Sequence, residues 1–219
     1  MAKLIVYDLD GTLIDSAKIV ASVLNQMRTE RGLEDLDVEQ LVPWLSMGGE
    51  DLVANALGLP VQGIEPHLID FRRRYSEIDT PKDSIYPGTK EALSHFANSG
   101  YQLAVCTNKP RALAEKVLKE TQLHDYFGHM NAGGDLPHKK PHPQTLLSCL
   151  EFFSVSSSDA ILVGDSTVDQ SLGGATNVAF VQYLPGYDDG IELANPLMKI
   201  DHHGKLENLL LDLNKQGNS

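Results

Sequence analysis

The chain has 219 residues, enough for one full hydrophobic core, or for one core with a small appended domain. Its hydrophobic and charged fractions, 42% and 22%, are those of an ordinary globular protein. With 30 acidic against 18 basic residues the formal net charge is -12, which argues against nucleic acid and anionic membrane as partners, because binding a phosphate backbone needs clustered Lys and Arg.

The first element in chain order is the apolar run Leu4-Ile5-Val6-Tyr7, read as a buried strand. It runs straight into Asp8-Leu9-Asp10-Gly11-Thr12-Leu13. Two carboxylates so close repel each other unless a cation or a shared proton relieves them. A hard, oxygen-loving ion such as Mg²⁺ is the simplest relief. The opening residues therefore suggest metal-assisted chemistry on an anionic substrate.

The next strand-like run begins only at Leu103, and a single crossover helix needs far fewer residues than that. The stretch from Ile14 to Ser84 is accordingly predicted to be an inserted, all-helical unit. Its first helix is expected to start at Asp15-Ser16, residues suited to capping, and to stop near Gly32. Met47-Gly48-Gly49 reads as a loop between two helical stretches. The last helix carries Ile64, Leu68, Phe71, Tyr75 and Ile78 as one apolar stripe, flanked by Arg72 and Arg74 with Arg73 opposite. Tyr86-Pro87-Gly88 marks the turn where the main domain resumes.

Three more apolar runs, Leu103–Cys106, Ile161–Val163 and Val178–Val181, read as buried parallel strands separated by helical patterns. The expected fold is therefore α/β: a doubly wound, mostly parallel, Rossmann-like sheet with an inserted all-helical domain. Residues 1–14 and 85–219 would form the core, and 15–84 the insert. In such sheets ligands bind beyond the carboxyl ends of the strands. Asp8, Thr107 and Gly164-Asp165 follow three of the four runs directly. The two cysteines, Cys106 and Cys149, lie in apolar stretches outside any CxxC pattern and read as core residues. No apolar run approaches the ~20 residues that span a bilayer, so a soluble cytoplasmic protein is expected.

Four segments together resemble the motifs of the haloacid dehalogenase superfamily of phosphatases. Asp8-Leu9-Asp10-Gly11-Thr12-Leu13-Ile14-Asp15-Ser16 is similar to the first, Thr107-Asn108-Lys109-Pro110 to the second, Lys140-Pro141-His142-Pro143 to the third, and Gly164-Asp165-Ser166-Thr167-Val168-Asp169 to the fourth. They stand in the family's order, and the second and third look most like the phosphoglycolate phosphatase branch. One departure is Gln170-Ser171-Leu172-Gly173-Gly174-Ala175, where the family carries an Ala-rich helix.

The resemblance implies an Mg²⁺-dependent phosphatase of a small phosphorylated metabolite, monomeric or homodimeric, with 2-phosphoglycolate the first candidate substrate. Asp8 would be the nucleophile and Asp10 the general acid and base. Mg²⁺ would sit on Asp8, Asp165 and the Asp10 carbonyl. Thr107 and Lys140 would contact the transferring phosphoryl group, although Lys139 competes with Lys140 for that place. Asp169 would orient Lys140 or a metal-bound water from behind the metal ligands. Gly11, Thr12 and Asn108 are candidate phosphate contacts, and the Gly48-Gly49 loop of the helical cap would read the leaving group. A phosphosugar phosphatase or a β-phosphoglucomutase-like phosphomutase is the near alternative. A phosphoaspartate receiver domain is the distant one, disfavoured because its phosphorylated Asp lies on a later strand.

Overall fold

The computed structural model describes residues 3–191 and 198–216; the ends of the expected core, 1–2 and 217–219, lie outside the described residues. Six strands form one parallel sheet in the order β3-β2-β1-β4-β5-β6. They are β1 (Leu4–Tyr7), β2 (Gln102–Pro110), β3 (His129–Gly133), β4 (Ala160–Gly164), β5 (Ala179–Tyr183) and β6 (Met198–Ile200). The four expected strands are present, with β5 displaced slightly toward the C-terminus of its apolar run. β3 and β6 were not anticipated. His-Met-Asn-Ala-Gly has no β-branched residue, and β6 has only three residues at a sheet edge.

β1 is the centre of the sheet, with Val6 paired to Ala104 on one side and Leu162 on the other. Successive side chains leave a strand on opposite faces. Ile5 and Tyr7 accordingly join one apolar cluster with Val105, Val163 and Phe96. Leu4 and Val6 join the other with Ala104, Cys106, Leu162, Leu146 and Leu172. Both faces are covered by helices, which is why these strands read as unbroken apolar runs. The covering helices are α5 (Thr89–Asn98), α6 (Arg111–Glu120), α7 (Gln144–Phe153), α8 (Thr167–Thr176) and α9 (Leu206–Gln216). α8 forms through Gly173-Gly174 and stops at Asn177, which takes the left-handed conformation.

Between β1 and β2 lie α1 (Ala17–Thr29), α2 (Val38–Leu45), α3 (Gly49–Leu57) and α4 (Glu65–Ser76). Ile64, Leu68, Phe71 and Tyr75 are buried as the stripe requires, with Ile78 packed at its end. The two chain passages into and out of this insert meet as an antiparallel bridge at Ile14 and Ile85. Asp15 N donates to Ser84 O at 2.7 Å, and Tyr86 N to Leu13 O at 3.1 Å. Ser16 holds the position before α1, but its hydroxyl does not cap the helix. It donates instead to Asp10 Oδ1 at 2.6 Å, since a carboxylate is a stronger acceptor than the hydroxyl's alternatives nearby. Among the described residues no helix is long and apolar enough to cross a membrane.

Candidate active site

The ends of β1 and β4 lie side by side, and Asp8 N donates to Val163 O at 2.9 Å. That pairing brings Asp8 and Asp165 together at the carboxyl edge of the sheet. Asp169 joins them from the first turn of α8, placed there by the Ser166 hydroxyl that accepts its backbone N–H. Asp8, Asp165 and Asp169 are all buried, and each offers a carboxylate oxygen within 4.8 Å of the others. Lys140 lies among them, with Nζ 2.8 Å from Asp8 Oδ1 and 2.7 Å from Asp169 Oδ1, and its side chain is only 3% exposed. Lys139 points elsewhere, to Asp51 at 2.9 Å and Glu50 at 3.4 Å in the insert.

Three buried carboxylates against one ammonium leave negative charge unbalanced. Burial first, then the Asp169 and Asp10 charges, push the Asp8 carboxyl up to about 7, although Lys140 opposes the shift. Burial, followed by the charges of Asp8 and Asp169, raises Asp165 well above the usual carboxylate range. Lys140 is shifted upward as well: burial opposes its charge, but the Asp169 and Asp8 carboxylates outweigh burial and hold the ammonium protonated. A hard divalent cation with oxygen ligands is the species that such a cluster accommodates. The packing around Asp165 is built for its carboxylate. Thr12 Oγ1 donates to Asp165 Oδ1 at 2.7 Å, and Tyr187 N to Asp165 Oδ2 at 2.8 Å. A Cβ at Gly11 or at Gly186 would collide with Asp165, and Gly11 also needs its positive φ of 80°.

Asp10 stands apart from this cluster. Its side chain accepts from Ser16 Oγ and from Lys109 Nζ, the latter at 2.9 Å to Oδ1 and 3.2 Å to Oδ2. Lys109 Nζ also donates to Tyr75 Oη, on α4 of the insert, at 2.9 Å. The Lys109 side chain is 7% exposed. Thr107 is buried at the cavity wall, and its hydroxyl accepts the Lys109 N–H at 3.1 Å. Asn108 braces the neighbouring loop: Oδ1 accepts Lys140 N at 2.8 Å, while Nδ2 faces Lys140 O and Ser46 O.

The cavity between sheet edge and insert is lined on one side by Asp8, Asp10, Thr107, Asn108 and Lys140, and on the other by Gly48, Gly49 and α4. Thr12 and Gly11 are not on its wall; they sit behind Asp165.

Several residues that shape this site have no local sequence signal for their role. Lys109 was visible only as part of a motif, and nothing local announced its partner Asp10 or Tyr75. Tyr187 and Asp189 lie in the loop after β5. Tyr187 Oη accepts the N–H groups of Ser16 and Ala17 at 2.7 and 2.9 Å, so one residue touches both Asp165 and the entrance to the insert. Asp189 accepts from Thr167 N at 2.7 Å and from Ser46 Oγ of the insert at 3.1 Å. These links join residues far apart in sequence, and spacing rules do not reach them.

A doubly wound parallel sheet with buried aspartates and a lysine at its carboxyl edge, roofed by helices inserted after β1, defines a hydrolase class. The family model for haloacid dehalogenase-like hydrolase matches residues 5–183, and the chain belongs to that family. Within it the protein is a phosphatase. It is 33% identical over 225 residues to a phosphoglycolate phosphatase of Pseudomonas savastanoi pv. phaseolicola, covering 99% of this chain and 82% of that one. It is 32% identical over 220 residues to a phosphoglycolate phosphatase of Psychrobacter arcticus, covering 95% and 96%. The crystal structure of a protein described as a predicted phosphoglycolate phosphatase from Haemophilus somnus superposes with a TM-score of 0.83, at 26% identity over 95% of this chain and 98% of that one.

Proposed function

We propose that the protein hydrolyses 2-phosphoglycolate, or a close carboxylated relative, through an aspartyl-phosphate on Asp8, with Mg²⁺ as the metal. The observation that carries this reading is the Asp8–Lys140–Asp169 contact set beside Asp165. The names of the relatives supply the substrate.

Asp8 is the nucleophile in this scheme because its carboxylate is buried at the cavity end of β1 and held by Lys140. Lys140 also presents a fixed positive charge to the phosphoryl oxygens, and Thr107 adds a hydroxyl donor on the cavity wall. Asp10 protonates the departing oxygen, then takes a proton from the attacking water. Ser16 and Lys109 hold the Asp10 carboxylate at the cavity edge for both transfers. Mg²⁺, held by Asp8, Asp165 and the Asp10 carbonyl, would neutralise the anions that must meet for the attack. Asp169 steadies Lys140 from behind. Gly11 and Thr12 support the Asp165 carboxylate, and Asn108 anchors the backbone of Lys140. Residues 15–84 form a cap over the core of 1–14 and 85–219; the expected loop of that cap ends at Gly48, Gly49 already opens α3, and both glycines line the cavity. A cap of this kind expels water and selects the leaving group.

The reaction is assigned to the cytoplasm, consistent with the buried free thiols Cys106 and Cys149. The test is phosphate release from 2-phosphoglycolate with Mg²⁺ present. Rapid release that EDTA abolishes and Mg²⁺ restores is expected. Phosphate migration within a sugar phosphate, without release, would move the assignment to a phosphomutase.

A further inference from the structure

The three arginines of α4 are used in different ways. Arg73 pairs with Asp70 and Glu77, both at 2.8 Å, on the outer face. Arg74 pairs with Glu30 at 2.7 Å and with Asp70 at 2.9 Å. Arg72 turns into the cavity that also contains Asp8 and Lys140. Among the described residues it makes no hydrogen bond or ion pair, and its Nε is buried without an acceptor. In a chain of net charge -12 that pairs both neighbouring arginines, this is a departure that asks for a cause.

Three cations line the cavity. Lys140 is engaged by Asp8 and Asp169, and Lys109 by Asp10. Arg72 alone is open to a ligand. Leaving a buried donor without an acceptor is costly, so its retention fits an acceptor that arrives with the substrate. The other insert side chains on this wall are the apolar Val20, Leu45, Leu52, Leu68 and Phe71, and three hydroxyls already engaged, Ser16 by Asp10, Ser46 by Asp189 and Tyr75 by Lys109. Such a wall offers the hydroxyls of a sugar few free partners. A short leaving group with a single anionic end meets apolar wall along its length and one guanidinium at its tip. The planar fork of a guanidinium matches the two oxygens of a carboxylate.

We propose that Arg72 is a specificity-determining residue of the cap, receiving the carboxylate of the substrate's leaving group while its phosphoryl group faces Asp8 and Lys140. This rests on the phosphatase reading above and gives its substrate class a physical basis in this chain. It also distinguishes Arg72 from Arg74, which the sequence pattern alone does not.

The experiment compares kcat/KM for 2-phosphoglycolate, 3-phosphoglycerate, glucose 1,6-bisphosphate and ethyl phosphate, which lacks the carboxylate, in the wild-type enzyme and in R72Q, R72K and R73Q. The wild type is expected to favour a carboxylated ester over ethyl phosphate. R72Q should lower that preference at least tenfold, mainly through KM. R72K, which keeps the charge but not the fork, should fall between them, and it serves alone if R72Q does not fold. R73Q should keep the wild-type preference. A carboxylate preference that stays at the wild-type level in R72Q, or in R72K where R72Q does not fold, overturns the role of Arg72 and leaves the 2-phosphoglycolate reading standing. A preference for 3-phosphoglycerate that R72Q removes supports Arg72 and overturns 2-phosphoglycolate as the substrate. Equal use of all four esters, or a preference for the bisphosphate, overturns both.

Discussion

The sheet edge and the helical insert face each other across one cavity, yet they treat charge in opposite ways. On the sheet side the charged groups are engaged: Asp8 and Asp169 by Lys140, Asp165 by Thr12 and Tyr187 N–H, Asp10 by Ser16 and Lys109. On the insert side the wall is largely apolar, its hydroxyls on Ser16, Ser46 and Tyr75 are hydrogen-bonded, and one guanidinium is unengaged. The difference fits a division of labour. Fixed dipoles and charges lower a barrier only when they need not reorganise during reaction, so the chemistry belongs on the rigid sheet. Selection of the leaving group, the role proposed for the insert, needs apolar surface and a group free to receive it.

Breaking the sheet side should have the largest effect. Asp8→Asn should reduce turnover of any ester by about 10⁴-fold or more, with an unchanged circular dichroism spectrum, because it removes the group proposed to attack. Lys140→Met should lose about 10²–10³-fold in kcat, since it removes a preorganised charge. It should also lower stability in denaturant titration by about 3–5 kcal/mol, because Asp8 and Asp169 are left buried without their counter-charge.

Metal removal sharpens the same comparison. With Asp8 raised to about 7 by burial, the folded apo state binds more protons than the unfolded chain between pH 4 and 7. This contribution therefore weakens folding as pH rises through that window. Added Mg²⁺ should raise the melting temperature most at neutral pH and little at pH 5. Asp165→Asn should abolish that response while leaving the apo protein at least as stable as the wild type, because one of three repelling carboxylates is gone. A Mg²⁺-induced shift of equal size at both pH values would contradict the cluster's electrostatics.

The smallest effects should come from the seam between the two regions. Asp189→Ala removes the acceptor shared by Thr167 and the insert's Ser46. A severalfold change in KM with little change in kcat for p-nitrophenyl phosphate is expected, read by steady-state kinetics. A large kcat loss would place Asp189 in the chemistry itself.

How much of this was legible beforehand follows from the range of each interaction. Strand β1 and its two aspartates are contiguous, so the sequence displays them together, and the three other motifs stand at strand or loop ends that hydrophobic patterning marks. The parallel sheet and the helical insert followed from the same patterning. β3 escaped because its side chains carry little strand preference and tertiary pairing decides it, and β6 because three residues at a sheet edge leave too little pattern to read. The choice between Lys139 and Lys140 turns on which side of one loop faces Asp8, a matter of tertiary geometry. Ser16 read as a helix cap because that is its local preference; the Asp10 carboxylate across the turn outcompeted it. Arg72 read as a stem covering the stripe, since helical spacing gives its angle relative to Phe71 but not the cavity opposite.

The central claim is that Asp8, beside Lys140 and a metal, becomes covalently phosphorylated. It is tested most directly by mixing Asp10→Asn with 2-phosphoglycolate and Mg²⁺, quenching in acid, and locating any phosphoryl group by peptide mass spectrometry. The account predicts an acid-stable, base-labile adduct on the peptide bearing Asp8, absent in the Asp8→Asn/Asp10→Asn double variant. A phosphoryl group on any other side chain would contradict it, as would product formation by Asp10→Asn at the wild-type rate with no adduct.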